Sequence, residues 1–272
     1  MTTTPAQERS HRELDSHHAE LIRATLPLVT AQLDRITEIF YRRLFDAHPE
    51  LSRDLFNREH QLTGRQPRAL AAAITTFAAA VTDPTKTRPT AMLNHIAAKH
   101  VSLGVTAAQY ATVYEHLFAA IVEVLGLDAV TSEVKDAWSQ LYWMLAEALI
   151  GRETALYDQH GYRPQEMFTP ATVQERTTSR ANLTEFTISA ADPDRALPTP
   201  LPGQAVTIGV TMADGARQHR QFRVVATPEP GQITFAVKHI PGGIWPVGEI
   251  AIHMIDHIHT GDTVEVSMHT VR

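Results

Sequence analysis

The chain has 272 residues, 43% of them apolar, a formal net charge of −6 and no cysteine. That is enough apolar material for one large or two modest packed domains, not for a disordered chain. The acidity argues against nucleic acid as a partner, and the missing cysteines remove disulfides, thiolate metal sites and thiol nucleophiles.

In chain order, residues 1–14 lack an apolar signal core and read as a flexible leader. No apolar run is long enough to cross a bilayer, so no membrane span is expected and the cytoplasm is the default location. Residues 15–157 read as helical. Leu33, Ile36, Phe40 and Leu44 recur at three- and four-residue steps and form one apolar face. Leu70, Ile74, Phe77 and Val81 repeat the pattern behind Gly64 and Pro67, which suit a helix start. Tyr110, Val113, Leu117, Ile121 and Val124 form a third stripe closed by Gly126, and Val134, Trp138, Leu141, Leu145 and Leu149 a fourth. Breaks fall at His48-Pro49, Asp83-Pro84 and Arg88-Pro89.

Residues 158–172 hold Gly161, Pro164 and Pro170 among polar residues and read as a linker. From 173 to 272 the period changes to short alternating or β-branched runs: 184–188, 205–210, 221–225, 233–237 and 263–266. Turn sequences such as Leu201-Pro202-Gly203 and Pro230-Gly231 separate them, the pattern of a small antiparallel barrel or sandwich. One helix is expected at Glu249 to His257. The whole is an all-α domain followed by an all-β one.

His100 in the segment IAAKH reads by itself as a structural histidine, since lone histidines on apolar helices are seldom ligands. The helical half as a whole says more. The segments ATLP, IFYRRLF, HPEL-x3-LFN, QPRALA, IAAKH, QY-x4-EHL, DAW-x3-Y and GRE-x3-Y occur in that order. In these it resembles the globin of flavohaemoglobins and of the related single-domain bacterial haemoglobins. The resemblance implies a globin fold, a haem b cofactor and iron held by His100. It gives Tyr41, Gln66, Tyr110 and Glu153 as the catalytic set, and Phe56, Leu70, Lys99 and His100 as the cofactor-binding set. Tyr110 and Glu153 match the pair that bonds the other ring nitrogen of the proximal histidine; a carboxylate there makes the imidazole a more basic ligand. Tyr41 matches the distal hydroxyl that donates to bound dioxygen, Gln66 the distal glutamine, Leu70 the roof over the iron and Phe56 the ring against the porphyrin. Neighbours Phe40 and Tyr41 divide between helix core and ligand side. Pro67, directly after Gln66, suggests a distal helix that begins late and leaves Gln66 mobile. Ser139 and Trp143 depart from the small residues usual around DAW-x3-Y.

The β half resembles, more weakly, the FAD-binding barrel of ferredoxin reductases. Its flavin signature, Arg-x-Tyr-Ser/Thr, corresponds to Arg220-Gln221-Phe222-Arg223, without the tyrosine and the hydroxyl. The family's pyrophosphate helix follows Gly-Gly and a hydroxyl residue; here Gly242-Gly243 is followed by Ile244-Trp245-Pro246, with no hydroxyl and one N–H fewer. The chain ends at Arg272, before the flavin-covering end of that barrel and the nicotinamide domain. FAD is therefore expected to be absent. His253 and His257, one helical turn apart with His259 and Asp256 nearby, could chelate a metal, but a solvated helix face is the better reading.

The family oxidises nitric oxide with dioxygen to nitrate, drawing electrons from NAD(P)H through FAD. The reading for this chain leans to an enzyme: a haem oxidoreductase of that type, acting on O2 and NO or on another small molecule, with electrons from an external reductase. Two rivals stand beside it, an O2- or NO-sensing globin and a peroxide-driven peroxidase.

Overall fold

The structure, a computed structural model, describes residues 14–83, 85–179, 182–201, 203–238 and 248–271. The leader, except for its last residue, and the Gly242–Pro246 stretch lie outside the described residues. The helices are α1 (Ser16–Ala31), α2 (Leu33–Ala47), α3 (Pro49–Asp54), α4 (Arg58–Leu62), α5 (Arg65–Thr82), α6 (Thr90–Ser102), α7 (Ala107–Leu125), α8 (Ser132–His160) and α9 (Glu249–His257). The strands are β1 (Phe168–Ser179), β2 (Leu183–Ala190), β3 (Ala205–Thr211), β4 (Arg217–Ala226), β5 (Gln232–Lys238) and β6 (Thr263–Ser267). They fold into two compact units. The first holds the described residues up to His48 with 64–97 and 106–152. The second holds 49–63, 98–105 and the described residues from Glu153 onward.

Local chemistry sets the helix ends. Asp15 caps α1 by accepting from the His18 amide at 2.9 Å. Thr106 and Gln109 form a capping box at the start of α7, and Gly126 at φ 78° ends it. The expected stripe Leu33, Ile36, Phe40 and Leu44 is buried, and α2 lays it against α5 and α7. The Trp138 indole donates to Thr25 at 2.9 Å and ties α8 to α1. A small apolar cavity lies in this core, between residues that include Val29, Ile36, Phe77 and Leu145. No described helix is long and apolar enough to cross a membrane.

In the second unit the strands close a barrel in the order β1-β2-β5-β4-β3-β6, every pairing antiparallel. Thr184, Phe186 and Ile188 point inward by the alternation of β2. Phe186 and Phe222 both stack on Phe235, at 5.7 and 5.4 Å between ring centroids. β4 is buried on more than the barrel side because α3 and the turn after it pack on it. The Gln218 amide donates to the Arg53 carbonyl at 2.9 Å, and Asn57 donates to the His219 carbonyl at 2.9 Å.

Three boundaries differ from expectation. The last globin-half helix runs on to His160, and β1 begins at Phe168, so both elements enter the expected 158–172 linker. The sequence of β1, FTPATVQERTTS, lacks strong alternation because its inward residues Ala171 and Val173 are small. Helix α5 starts at Arg65, before Gln66, so the expected late start is corrected. Pro67 fits the first turn, where an amide N–H has no intrahelical partner to lose.

Candidate functional site

His100 lies in the last turn of α6 and Glu153 near the end of α8, and the second unit brings them together. The His100 Nδ1 atom and the Glu153 Oε1 atom are 2.7 Å apart. The carboxylate is 3% exposed and the imidazole 31%. An ionised carboxylate accepts only, so the proton of this bond sits on Nδ1 and the tautomer of the ring is set. A metal ion held by this ring would be held through Nε2. A buried carboxylate behind an imidazole is the donor arrangement that a metal ligand of raised basicity requires. Half-buried Lys99 and Phe56 share this unit; the Lys99 carbonyl accepts from Ser102 at 2.8 Å and the Phe56 amide donates to Leu51 at 2.8 Å.

The other expected residues belong to the first unit. Tyr41 on α2 is buried among Phe40 and Phe45, with ring centroids at 4.6 and 5.7 Å. Gln66 and Leu70 are one turn apart at the start of α5 and half-buried. Tyr110 is buried, and its carbonyl accepts from the Tyr142 hydroxyl at 2.6 Å. The departures at Ser139 and Trp143 have a local explanation. Ser139 bonds the Tyr114 hydroxyl at 2.8 Å, and Trp143 lies 5.5 Å from the same ring. Both extend an aromatic cluster between α7 and α8.

On the barrel, Arg220, Gln221, Phe222 and Arg223 all lie on β4. Arg220 donates to Glu59 of α4 at 2.6 Å, with side chains 23% and 10% exposed. Phe222 is buried in the barrel core and Arg223 is exposed. Beside this pair, Arg58 donates to Asp214 at 2.7 Å and to buried Glu249, in the first turn of α9, at 3.4 Å. The Arg58 guanidinium holds Asp214 down at about 2. Nothing in the sequence marks Arg58 or Glu59, because such pairs depend on which loop lands on which strand.

Two buried histidines of the second unit also lay outside the sequence reading. The His219 ring lies against Phe168 with centroids 4.6 Å apart and planes tilted by 40°, and neither of its ring nitrogens has a partner among the described residues. Burial, helped by Arg217, pulls its pKa down to about 3. His269 contacts His160 at 3.2 Å; burial and then His160 pull it down to about 4. The rings of His253 and His257 lie 5.1 Å apart, and burial with His257 lowers the pKa of His253. Among the described residues no group of three or more ligating side chains surrounds them.

The globin family model matches residues 38–149. The flavohemoprotein of Bordetella parapertussis is 40% identical over 251 residues, 91% of this chain and 61% of that protein. That of Halalkalibacterium halodurans is 34% identical over 93% of this chain and 62% of its own length. The crystal structure of a flavohemoglobin from Malassezia yamatoensis with bound FAD and heme superposes with a TM-score of 0.84 at 32% identity. That match covers 95% of this chain and 64% of that one. The chain thus spans about three fifths of the length of the relatives it matches.

Proposed function

The chain belongs to the flavohaemoglobin family, and on that footing we propose that it is a haem b oxidoreductase of the nitric oxide dioxygenase type. The observation that carries this reading is the 2.7 Å bond between His100 and the buried carboxylate of Glu153. Haem, when bound, supplies the reversible binding of dioxygen and its reaction with nitric oxide to give nitrate. His100 would hold the haem iron through Nε2, and Glu153, bonded to Nδ1, would hold its ring in one tautomer and strengthen it as a donor. Such a ligand favours reaction of dioxygen over storage. Tyr41 supplies a phenolic O–H from a buried position, suited to oxygen atoms on which negative charge develops. By the family resemblance alone, Tyr110 would be the further proximal residue and Gln66, Leu70, Phe56 and Lys99 would contact the cofactor.

FAD fits the described residues poorly. The guanidinium that would meet a flavin phosphate is neutralised by Glu59, and the aromatic residue of the signature lies inside the barrel core. We therefore place the electron source in a separate reductase. Mixing the dioxygen-loaded ferrous protein with nitric oxide tests the main reading; rapid, stoichiometric nitrate supports it, and slow reaction without nitrate rejects it. The proximal carboxylate also favours peroxide chemistry, and turnover of a phenol with hydrogen peroxide at a higher rate than nitric oxide consumption would favour that second reading.

A further inference from the structure

We propose that the barrel positions the proximal histidine, through a clamp on the turn after His100 in which Tyr157 is the positioning residue. This rests on His100 being the iron ligand.

Helix ends fray, and His100 lies in the last turn of α6. Its turn is closed by a Schellman motif. The Gly104 amide donates to the Val101 carbonyl at 3.0 Å, and the Val105 amide donates to the carbonyl of His100 itself at 3.1 Å. Gly104 supplies the left-handed residue, at φ +74°. Whatever holds Gly104 and Val105 therefore holds the backbone of His100.

Both are held from outside α6. The Tyr157 hydroxyl donates to the Val105 carbonyl at 2.8 Å. Tyr157 is one helical turn beyond Glu153 on α8, so the two side chains leave the same face. One bonds the His100 ring and the other bonds the end of its turn. Burial raises the Tyr157 pKa, with Glu153 adding to the effect, so the hydroxyl stays a donor at any ordinary pH. On the barrel side, the Pro164 carbonyl oxygen would lie 2.6 Å from a Cβ at residue 104, so the chain entering β1 approaches the turn as closely as glycine allows. Val101, fully buried, packs with Tyr157, Met167 and Met268. The Met268 amide donates to the Met167 carbonyl at 2.7 Å and joins β6 to β1 behind it. The turn is gripped between α8 and the barrel. A hydrogen bond weakens steeply as its geometry opens, so the clamp acts on the His100–Glu153 bond.

The test uses the full chain loaded with haem, in the ferrous state without added ligand, and reads the iron–histidine stretching band by resonance Raman spectroscopy. Glu153→Gln sets the scale by removing the carboxylate, and is expected to lower the band. Tyr157→Phe, which loses one hydroxyl and keeps the ring, is expected to lower it part of the way. Thr187→Val removes a 2.9 Å bond to Thr234 between β2 and β5, away from the turn, and is expected to leave the band unchanged. A wild-type band in Tyr157→Phe together with a shifted band in Glu153→Gln overturns the clamp and leaves the haem reading standing. An unshifted band in Glu153→Gln overturns the proximal reading and the clamp with it. If Tyr157→Phe does not fold, Val101→Ala carries the same expectation, because it removes the side chain that lies against Met167 and Met268.

Discussion

Arg220 of the barrel's β4 strand and Glu59 are 161 residues apart in the chain and share a 2.6 Å ion pair. With exposures of 23% and 10%, the pair has little water to fall back on. Removing one partner leaves the other charge buried and unmatched. Glu59→Gln is expected to lower stability by about 2–3 kcal/mol, below the full cost of breaking a buried pair because Arg220 retains some hydration. Urea unfolding of Glu59→Gln, of Arg220→Met and of the double variant checks this. The double variant recovers most of the loss if the penalty comes from the orphaned charge.

The same pair bears on flavin. Because Glu59 neutralises Arg220, the purified protein is expected to show the Soret band of haem without the flavin absorption at longer wavelength. Extraction and fluorimetry of bound FAD check it, and a one-to-one flavin content would contradict it.

Tyr41→Phe tests the proposed role of Tyr41 as the distal donor. A hydrogen bond to an oxygen carrying partial charge contributes about 1.5–3 kcal/mol, so loss of the hydroxyl is expected to speed dioxygen dissociation by about 10–100-fold. Carbon monoxide, which develops little charge, is the control, and its dissociation rate stays close to wild type. Stopped-flow displacement measures both.

Glu153→Gln keeps the shape of the proximal contact and removes its charge. The rate of nitric oxide consumption is expected to fall by about 10–100-fold, the usual effect of losing the group behind a metal-bound histidine. An unchanged rate in a haem-loaded variant would count against the proximal push.

The buried histidines set a pH dependence. His219 and His269 have folded pKa values near 3 and 4, below the ordinary 6.5. As pH falls below 6.5 the unfolded chain takes up these protons first. Their neutral burial therefore costs nothing above that pH, and stability is lost progressively between 6.5 and the folded values. The loss is about 1.4 kcal/mol per pH unit for each histidine. Urea midpoints measured between pH 7 and pH 5 are expected to fall, and His219→Phe, which keeps a ring against Phe168, makes the profile shallower.

Much of the fold was legible in the chain because its signals are local. The stripe from Leu33 to Leu44, the run Glu249–His257 and the alternation around Phe186 each correspond to an element with its apolar side buried. β1 was not legible, since small inward residues blur its period. The start of α5 is ambiguous in sequence: Pro67 suggests a late start, although a proline in the first turn costs no hydrogen bond and the helix includes Gln66. Tyr157 did carry a signal, four residues after Glu153 in GRE-x3-Y, but helical spacing states only that two side chains share a face, not what they reach.

By itself the sequence determined the two-part order of helices and strands, the resemblance to globins and the identity of His100 and Glu153 as residues to watch. Only the tertiary structure decided that these two, 53 residues apart, meet at 2.7 Å, that Tyr157 secures the turn beyond them, and that Glu59 neutralises Arg220. The division has a physical cause. Caps, stripes and turns are set by neighbours along the chain, whereas a hydrogen bond between distant residues exists only once packing has fixed both backbones to within a fraction of an ångström.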